Sequence, residues 1–231
     1  MVSRYHQWYD VLFGNKDYED EACRLLDIAS GSGIAAEPRT VFDIGCGTGN
    51  HSWSLAHIGA KEVWSWDEDA DMREVARAKG LTVAMPPQPV DMAIAMFHVA
   101  NYCLVPAQLY RLCRTAYDNL VDGGMFLLDA WDSDAEPPAI HTSDYHSGPY
   151  RVIRTGYPYH IGQRADLVTV VNETAILQRG EQESVKVAFA WEYRHRLWGK
   201  HTIRFSLAET GFRDVTVREW GRRSVLFTAV R

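Results

Sequence analysis

Val41-Phe-Asp-Ile-Gly-Cys-Gly-Thr-Gly-Asn-His51 is the stretch on which the reading of this chain turns. It opens with apolar residues around Asp43, as a buried strand does. Gly45, Gly47 and Gly49 then alternate, and Ser52-Trp-Ser-Leu-Ala56 resumes as a helix. A strand ending in glycines lets the backbone turn tightly and bring bare main chain against a ligand. The N–H groups opening the next helix face that ligand. In open α/β sheets ligands settle beyond the carboxyl ends of the strands, where this loop falls. The dinucleotide fingerprint needs a third glycine or alanine where this chain has Asn50. A ribose-binding acid is expected about twenty residues further on, at the end of the next strand, and Val63-Trp-Ser-Trp-Asp67 supplies it.

Outward from this loop the chain alternates. Upstream, Asp17–Ala29 reads as a helix: Tyr18, Ala22, Leu25, Leu26 and Ala29 share a face, and acids fill the first turn. Downstream, a helix over 70–79 ends at Gly80, a third strand over 81–85 stops at Pro86-Pro87, and a fourth spans Val90–Phe97. Pro106 opens a helix whose Leu109, Leu112, Cys113, Ala116 and Leu120 share a face, closed by Asp122-Gly-Gly124. Met125–Trp131 is a fifth strand. Strands and helices in this alternation imply parallel βαβ units.

After Trp131 the period changes. Residues 132–148 read as loop, and Arg151–Arg154, Leu167–Leu177 and Ser184–Trp198 as antiparallel strands, the last two joined by the turn Gln178–Glu181. A helix over 202–210 and a closing hairpin, Phe212–Glu219 with Ser224–Val230, follow. The expectation is one domain over 1–231, α/β, with helices on both faces of a Rossmann-like sheet. It comprises an N-terminal helical segment (1–40), a ligand-binding core (41–131), an antiparallel β insertion (132–200) and a closing helix and hairpin (201–231).

A chain of 231 residues, 46% of them hydrophobic, can bury one sizeable core. The net charge of −6 provides no field to draw in nucleic acid or an anionic membrane, so neither is expected as a partner. No apolar run reaches transmembrane length, and the opening residues lack a signal-peptide core, so the expected location is cytoplasmic. Cys23, Cys46, Cys103 and Cys113 form no CxxC pair, which argues against a metal site and a disulfide framework.

With these residues in place, the chain resembles the class I S-adenosyl-L-methionine (SAM) methyltransferases. Within them it is most similar to the amino-sugar N,N-dimethyltransferases of macrolide antibiotic biosynthesis. The resemblance rests on Tyr9-Asp10, Lys16-Asp17-Tyr18, Asp43-x-Gly-x-Gly-x-Gly49, Asp67 with Asp71-Met72, Met96-Phe97, Asp129-Ala-Trp131 and Gly221-Arg-Arg-Ser-Val-Leu-Phe227. It implies SAM as cofactor and S-adenosyl-L-homocysteine as product. The implied cofactor-binding residues are Tyr18, Asp43, Gly45, Cys46, Gly47, Gly49, Asp67, Glu68, Met72, Met96 and Phe97. One departure stands out: the family usually carries an acid after strand three, for the adenine amine, where this chain reads Ala84-Met-Pro-Pro87.

Methyl transfer from a sulfonium is an in-line displacement with a neutral leaving group, and it requires no metal. The enzyme must align acceptor, methyl and sulfur, which can supply roughly 7–11 kcal/mol in ideal cases, and leave the nucleophile deprotonated. His98 and Tyr9 are the candidates for proton removal, with His195 behind them. His98 is either this base or a loop histidine bonded to backbone, and Tyr9 either base or pocket wall. Tyr102, Trp131 and Arg196 are the acceptor-side candidates; Asp129 and Asp132 are carboxylates suited to a cationic acceptor. Arg194, Arg196, Arg222 and Arg223 would suit a diphosphate if the acceptor is a nucleotide-linked sugar. The expected substrate is a small-molecule amine, with small-molecule O-methylation and a non-catalytic binding protein on the same scaffold as alternatives. The free edge of the antiparallel insertion would also allow a homodimer.

Overall fold

The computed structural model describes residues 4–31, 39–135, 139–161, 164–180 and 183–231. In chain order the elements are α1 (Arg4–Leu12), α2 (Tyr18–Gly31), β1 (Thr40–Ile44), α3 (Asn50–Ile58), β2 (Glu62–Trp66) and α4 (Ala70–Ala78). β3 (Thr82–Val83), β4 (Val90–Ala95), α5 (Val99–Tyr102), α6 (Pro106–Asp118) and β5 (Leu120–Trp131) follow. Then come β6 (His141–Ser147), β7 (Tyr150–Ile161), β8 (Arg164–Gln178), β9 (Ser184–Arg196), α7 (Lys200–Thr210), β10 (Arg213–Gly221) and β11 (Ser224–Val230). They group into two compact units, residues 18–135 with 197–231, and residues 1–17 with 136–196.

The larger unit is built on a seven-stranded sheet of order β10-β11-β5-β4-β1-β2-β3. Strands β3, β2, β1, β4 and β5 run parallel, β11 adds antiparallel to β5, and β10 adds antiparallel to β11. From β1 the chain runs outward to β3, then returns to lay β4 on the other flank of β1. That reversal creates the crevice where ligands of open α/β sheets bind.

Strand alternation sorts the core into two layers. Phe42, Ile44, Ala93, Ala95, Phe126 and Leu128 bury one face against Leu109, Leu112 and Ala116 of α6 and Ile203 and Leu207 of α7. Val41, Met92, Ile94, Met96, Met125 and Leu127 bury the other against Ala22, Leu25 and Ala29 of α2 and Leu55 of α3. Both faces being covered explains why these strands read as continuous apolar runs. Each fully buried Leu or Phe contributes about 1.5–3 kcal/mol.

The smaller unit is a four-stranded antiparallel sheet of order β6-β7-β8-β9. Helix α1 packs Tyr5, Trp8 and Leu12, with Phe13 just beyond its end, into a cluster with Val152, Ile176, Val187, Phe189 and Trp191.

The structure corrects several sequence boundaries. β4 stops at Ala95, because Phe97 and His98 adopt φ of 65° and 67° and leave the extended region. β3 keeps two residues of the expected five, paired among the described residues with β2 alone at the edge of the sheet. α6 ends at Asp118, and Leu120, expected on its face, opens β5 opposite Val90. Residues 141–147, expected as loop, form β6: a polar, solvent-facing edge strand hides its alternation, yet it pairs residue for residue with β7. β7 runs through Pro158, paired with Val170 of β8, at a point where the β6 ladder has already ended at Gly156, as suits a residue with no N–H to donate. Glu181 of the expected turn lies outside the described residues. Among the described residues no helix is long and apolar enough to cross a membrane.

Candidate functional site

The site begins where β1 ends. Gly45, Gly47 and Gly49 hold φ of 76°, 56° and 83°, values that L side chains adopt only with strain. The N–H groups of Gly45 and Cys46 both donate to the Trp66 carbonyl, at 2.7 and 3.1 Å, stapling the loop to the end of β2. Gly49 starts α3: its carbonyl accepts the first helical bond, from Trp53 at 2.8 Å. Beneath the loop Asp43 is buried, and the Ser52 hydroxyl donates to its Oδ2 at 2.6 Å. Ser65 in turn donates to Ser52 at 2.8 Å. Burial pushes the Asp43 carboxyl above its ordinary range, against the pull of His51 and of the Ser52 hydroxyl. Burial likewise pushes the Cys46 thiol up, so it stays protonated and unreactive.

Asp67, one strand over, reaches back to the loop. Its Oδ2 accepts the Gly47 N–H at 2.8 Å and its Oδ1 the Asp69 N–H at 2.8 Å. Burial raises its pKa while these two amides lower it. Each oxygen keeps a second lone pair, so the carboxylate is fixed in place and can still accept from a diol. Asp69 caps α4 through the N–H groups of Asp71 and Met72. Arg73 donates to the Asp67 and Glu68 carbonyls at 2.6 and 3.1 Å and lies over the Trp66 ring. Met72 and Met96 are buried, whereas the Glu68 side chain is exposed and pairs with Arg111 at 3.4 Å.

Across the switch point, the turn after β4 holds Phe97 and His98 both in the left-handed region, a strain found at functional sites. Asp129 Oδ1 accepts the His98 main-chain N–H at 2.7 Å, and its Oδ2 lies 3.7 Å from the ring Nε2. Ser224, opening β11, sits 2.8 Å from the same Nε2, and Trp131 meets the ring edge-on. Serine and carboxylate share one ring nitrogen, so this is no nucleophile relay, which needs them on opposite nitrogens. Asn101 accepts the Trp131 N–H at 2.9 Å, and Tyr102 is half exposed. Asp132 pairs with Lys200 at 2.9 Å and shares it with Asp134 at 3.1 Å.

On the α2 side, the Tyr18 ring stands edge-on to His51, whose Nε2 is 2.8 Å from Glu21 Oε2. Glu21, His51, Ser52 and Ser224 were not singled out from the sequence. His51 had a signal, following the glycine loop directly; Ser224 lies within the Gly221–Phe227 stretch, but its neighbours in the site lie about a hundred residues earlier.

Tyr9 and Arg196 belong to the smaller unit. Tyr9 packs against Tyr5 and Phe13, with ring centroids 5.5 and 4.7 Å apart, and Arg196 pairs with Asp166 at 2.9 Å. His195 is buried beside Tyr193, and burial pushes its pKa down to about 3. Arg222 and Arg223 form the turn between β10 and β11.

No family model matches the sequence, and no curated protein matches it. Solved structures do. DesVI of Streptomyces venezuelae is 18% identical, covering 98% of this chain and 96% of its own with a TM-score of 0.83. The sugar N-methyltransferase KedS8 of a Streptoalloteichus species is 19% identical, covering 100% and 94%, with a TM-score of 0.79. SAM-bound CalS10, an amino pentose methyltransferase of Micromonospora echinaspora involved in calicheamicin biosynthesis, is 17% identical, covering 100% and 98%, with a TM-score of 0.80. The chain shares the α/β fold of these three structures over nearly its whole length.

Proposed function

We propose that this chain is a SAM-dependent methyltransferase that methylates the nitrogen of an amino sugar or a similar small amine, in the making of a glycosylated natural product such as an antibiotic. The observation that carries the reading is the bond from Gly47 N–H to Asp67 Oδ2. It joins a left-handed glycine loop and a strand-end carboxylate at the sheet's reversal, an arrangement that suits an amino-acid tail on one side and a ribose on the other. The similarity to KedS8 and CalS10 supports a sugar amine as acceptor.

The residues fit the cofactor in two of its three parts. The loop from Gly45 to Gly49, with the start of α3, would hold the methionyl end. Asp67 has acceptor capacity left for the ribose hydroxyls. For the adenine, Met72 offers apolar packing, but the stretch from Thr82 to Val90 carries no acidic side chain for the amine. When bound, SAM supplies an electrophilic methyl group whose transfer leaves the neutral product S-adenosyl-L-homocysteine.

The chain's own contribution is placement and proton removal. An amine is protonated in water and must lose that proton before it can attack. His98 is the imidazole at the carboxyl edge of the sheet, with a buried carboxylate beside it to stabilise its charged form. Tyr102 and Trp131 are the flanking surfaces for the acceptor.

Purified protein incubated with SAM and with parallel panels of amino sugars and hydroxyl compounds tests this, with products read by mass. Mass gain of one or two methyl groups on the amines supports the proposal. Methylation of hydroxyls alone makes the chain an O-methyltransferase. The absent acid after strand three favours a second reading, a non-catalytic binding protein on this fold; no calorimetric binding of SAM or S-adenosyl-L-homocysteine at millimolar ligand would overturn the methyltransferase reading and favour that one.

A further inference from the structure

We infer that the purine of the cofactor is held without its six-position being read. The turn Met85-Pro86-Pro87 is the apolar edge of the purine site, and the site takes a 6-oxo purine as readily as the 6-amino purine of SAM. The inference rests on the methyltransferase reading above and makes Met85 the residue that sets this tolerance.

The sheet order places the turn. A ligand with its amino-acid tail on the loop after β1 and its ribose on Asp67 after β2 runs along the carboxyl ends of the strands toward β3, the last strand on that side. β3 pairs with β2 in parallel, Thr82 opposite Trp64 and Val83 opposite Ser65. Two residues beyond that last pair come Met85 on one strand and Asp67 on the other, so the turn after β3 neighbours the ribose carboxylate. The surfaces there are apolar. Met72 is buried on α4, and Leu81 Cδ1 fills the space that a Cβ on Gly49 would take.

Adenine presents a donor amine beside an acceptor nitrogen; hypoxanthine presents an acceptor oxygen beside a donor N–H. A site that hydrogen-bonds one form rejects the other, because its own polar group is then left unpaired. The turn after β3 supplies no side chain of fixed polarity for this. No acid lies between Thr82 and Val90, and Pro86, Pro87 and Pro89 have no N–H to give. Gln88 is exposed, and its amide carries both a donor and an acceptor, so it serves either purine by turning over. Three neighbouring acids are engaged elsewhere. Glu68 pairs with Arg111 at 3.4 Å, and Asp69 caps α4. Asp91 Oδ2 accepts the N–H groups of Arg39 and Thr40, both at 2.9 Å, at the amino end of β1. Met85 itself is 43% exposed, so water can complete the hydrogen bonds of either purine at this edge.

Calorimetry on the whole chain, with S-adenosyl-L-homocysteine and its 6-oxo counterpart S-inosyl-L-homocysteine, reads this without turnover. The two should bind within about fivefold of each other. A larger preference for the adenine form overturns the inference and leaves the methyltransferase reading standing. Binding of neither overturns both. Met85→Asp, at an exposed position, puts a carboxylate acceptor on the same edge. It should favour the adenine form by about tenfold or more, as a hydrogen bond to a charged group does. A variant that binds the two forms as equally as the wild type shows that Met85 does not face the six-position, and the inference falls.

Discussion

Asp67 and Gly47 are joined by a 2.8 Å hydrogen bond from main-chain N–H to carboxylate, so the acid at the end of β2 also braces the loop at the end of β1. Asp67→Ala therefore does two things at once. It strands the Gly47 and Asp69 amides, and it removes the acceptor for a ribose. Leaving the ribose hydroxyls without their acceptor should cost about 1–3 kcal/mol of SAM affinity by calorimetry. A variant that loses thermal stability while keeping its SAM affinity would mark Asp67 as a brace alone.

Gly45 sits at φ +76°, and a Cβ there would lie 2.6 Å from Val99 Cγ2. Gly45→Ala should lose about 1–2 kcal/mol to the left-handed backbone, and about 1–3 kcal/mol more to overpacking. Adding Val99→Ala should return the steric part and leave the backbone part. Thermal midpoints of the single and double variants check this. Full recovery in the double variant would show that the backbone conformation costs nothing.

The fold was legible where local pattern and tertiary role agree. The strands doubly covered by helices announce themselves as apolar runs, and the alternate glycines from Gly45 to Gly49 report the positive φ they hold. Legibility failed where a tertiary contact decides. The polar alternation of His141–Ser147 becomes a strand only because β7 is there to pair with it. Leu120 fits the apolar face of α6, but its place opposite Val90 puts it in β5. The site divides in the same way. The loop glycines and Asp67 follow from motif spacing, whereas Ser224 reaches His98 from across the sheet, a juxtaposition no local window contains. The pairing of Asp132 with Lys200, sixty-eight residues later, is likewise a contact that no local window contains.

His98 separates catalysis from architecture by choice of substitution. At φ +67° an alanine would add backbone strain, whereas asparagine tolerates this conformation. His98→Asn should thus remove the imidazole with the turn intact. Turnover should fall by about 10²-fold or more if the ring removes the proton, with SAM affinity unchanged by calorimetry. Equal turnover in wild type and variant would assign His98 to structure alone.

His195 gives the smaller unit an acid limit. Burial pushes its pKa down to about 3, against about 6.5 for an imidazole in the unfolded chain. Between these values the unfolded chain binds a proton that the folded chain refuses, so stability falls as pH drops through the unfolded value and keeps falling toward the folded one. The slope contributed by this one group is about 1.4 kcal/mol per pH unit inside that window. Above pH 7 both states carry a neutral ring and the contribution is flat. Urea unfolding of wild type and His195→Gln from pH 7 to pH 4, followed by the fluorescence of the aromatic cluster around Trp191, measures it. The variant has no proton to take up, so its stability should depend less on pH than that of the wild type, with the two curves diverging below about pH 6.5. Parallel curves would place the acid sensitivity elsewhere.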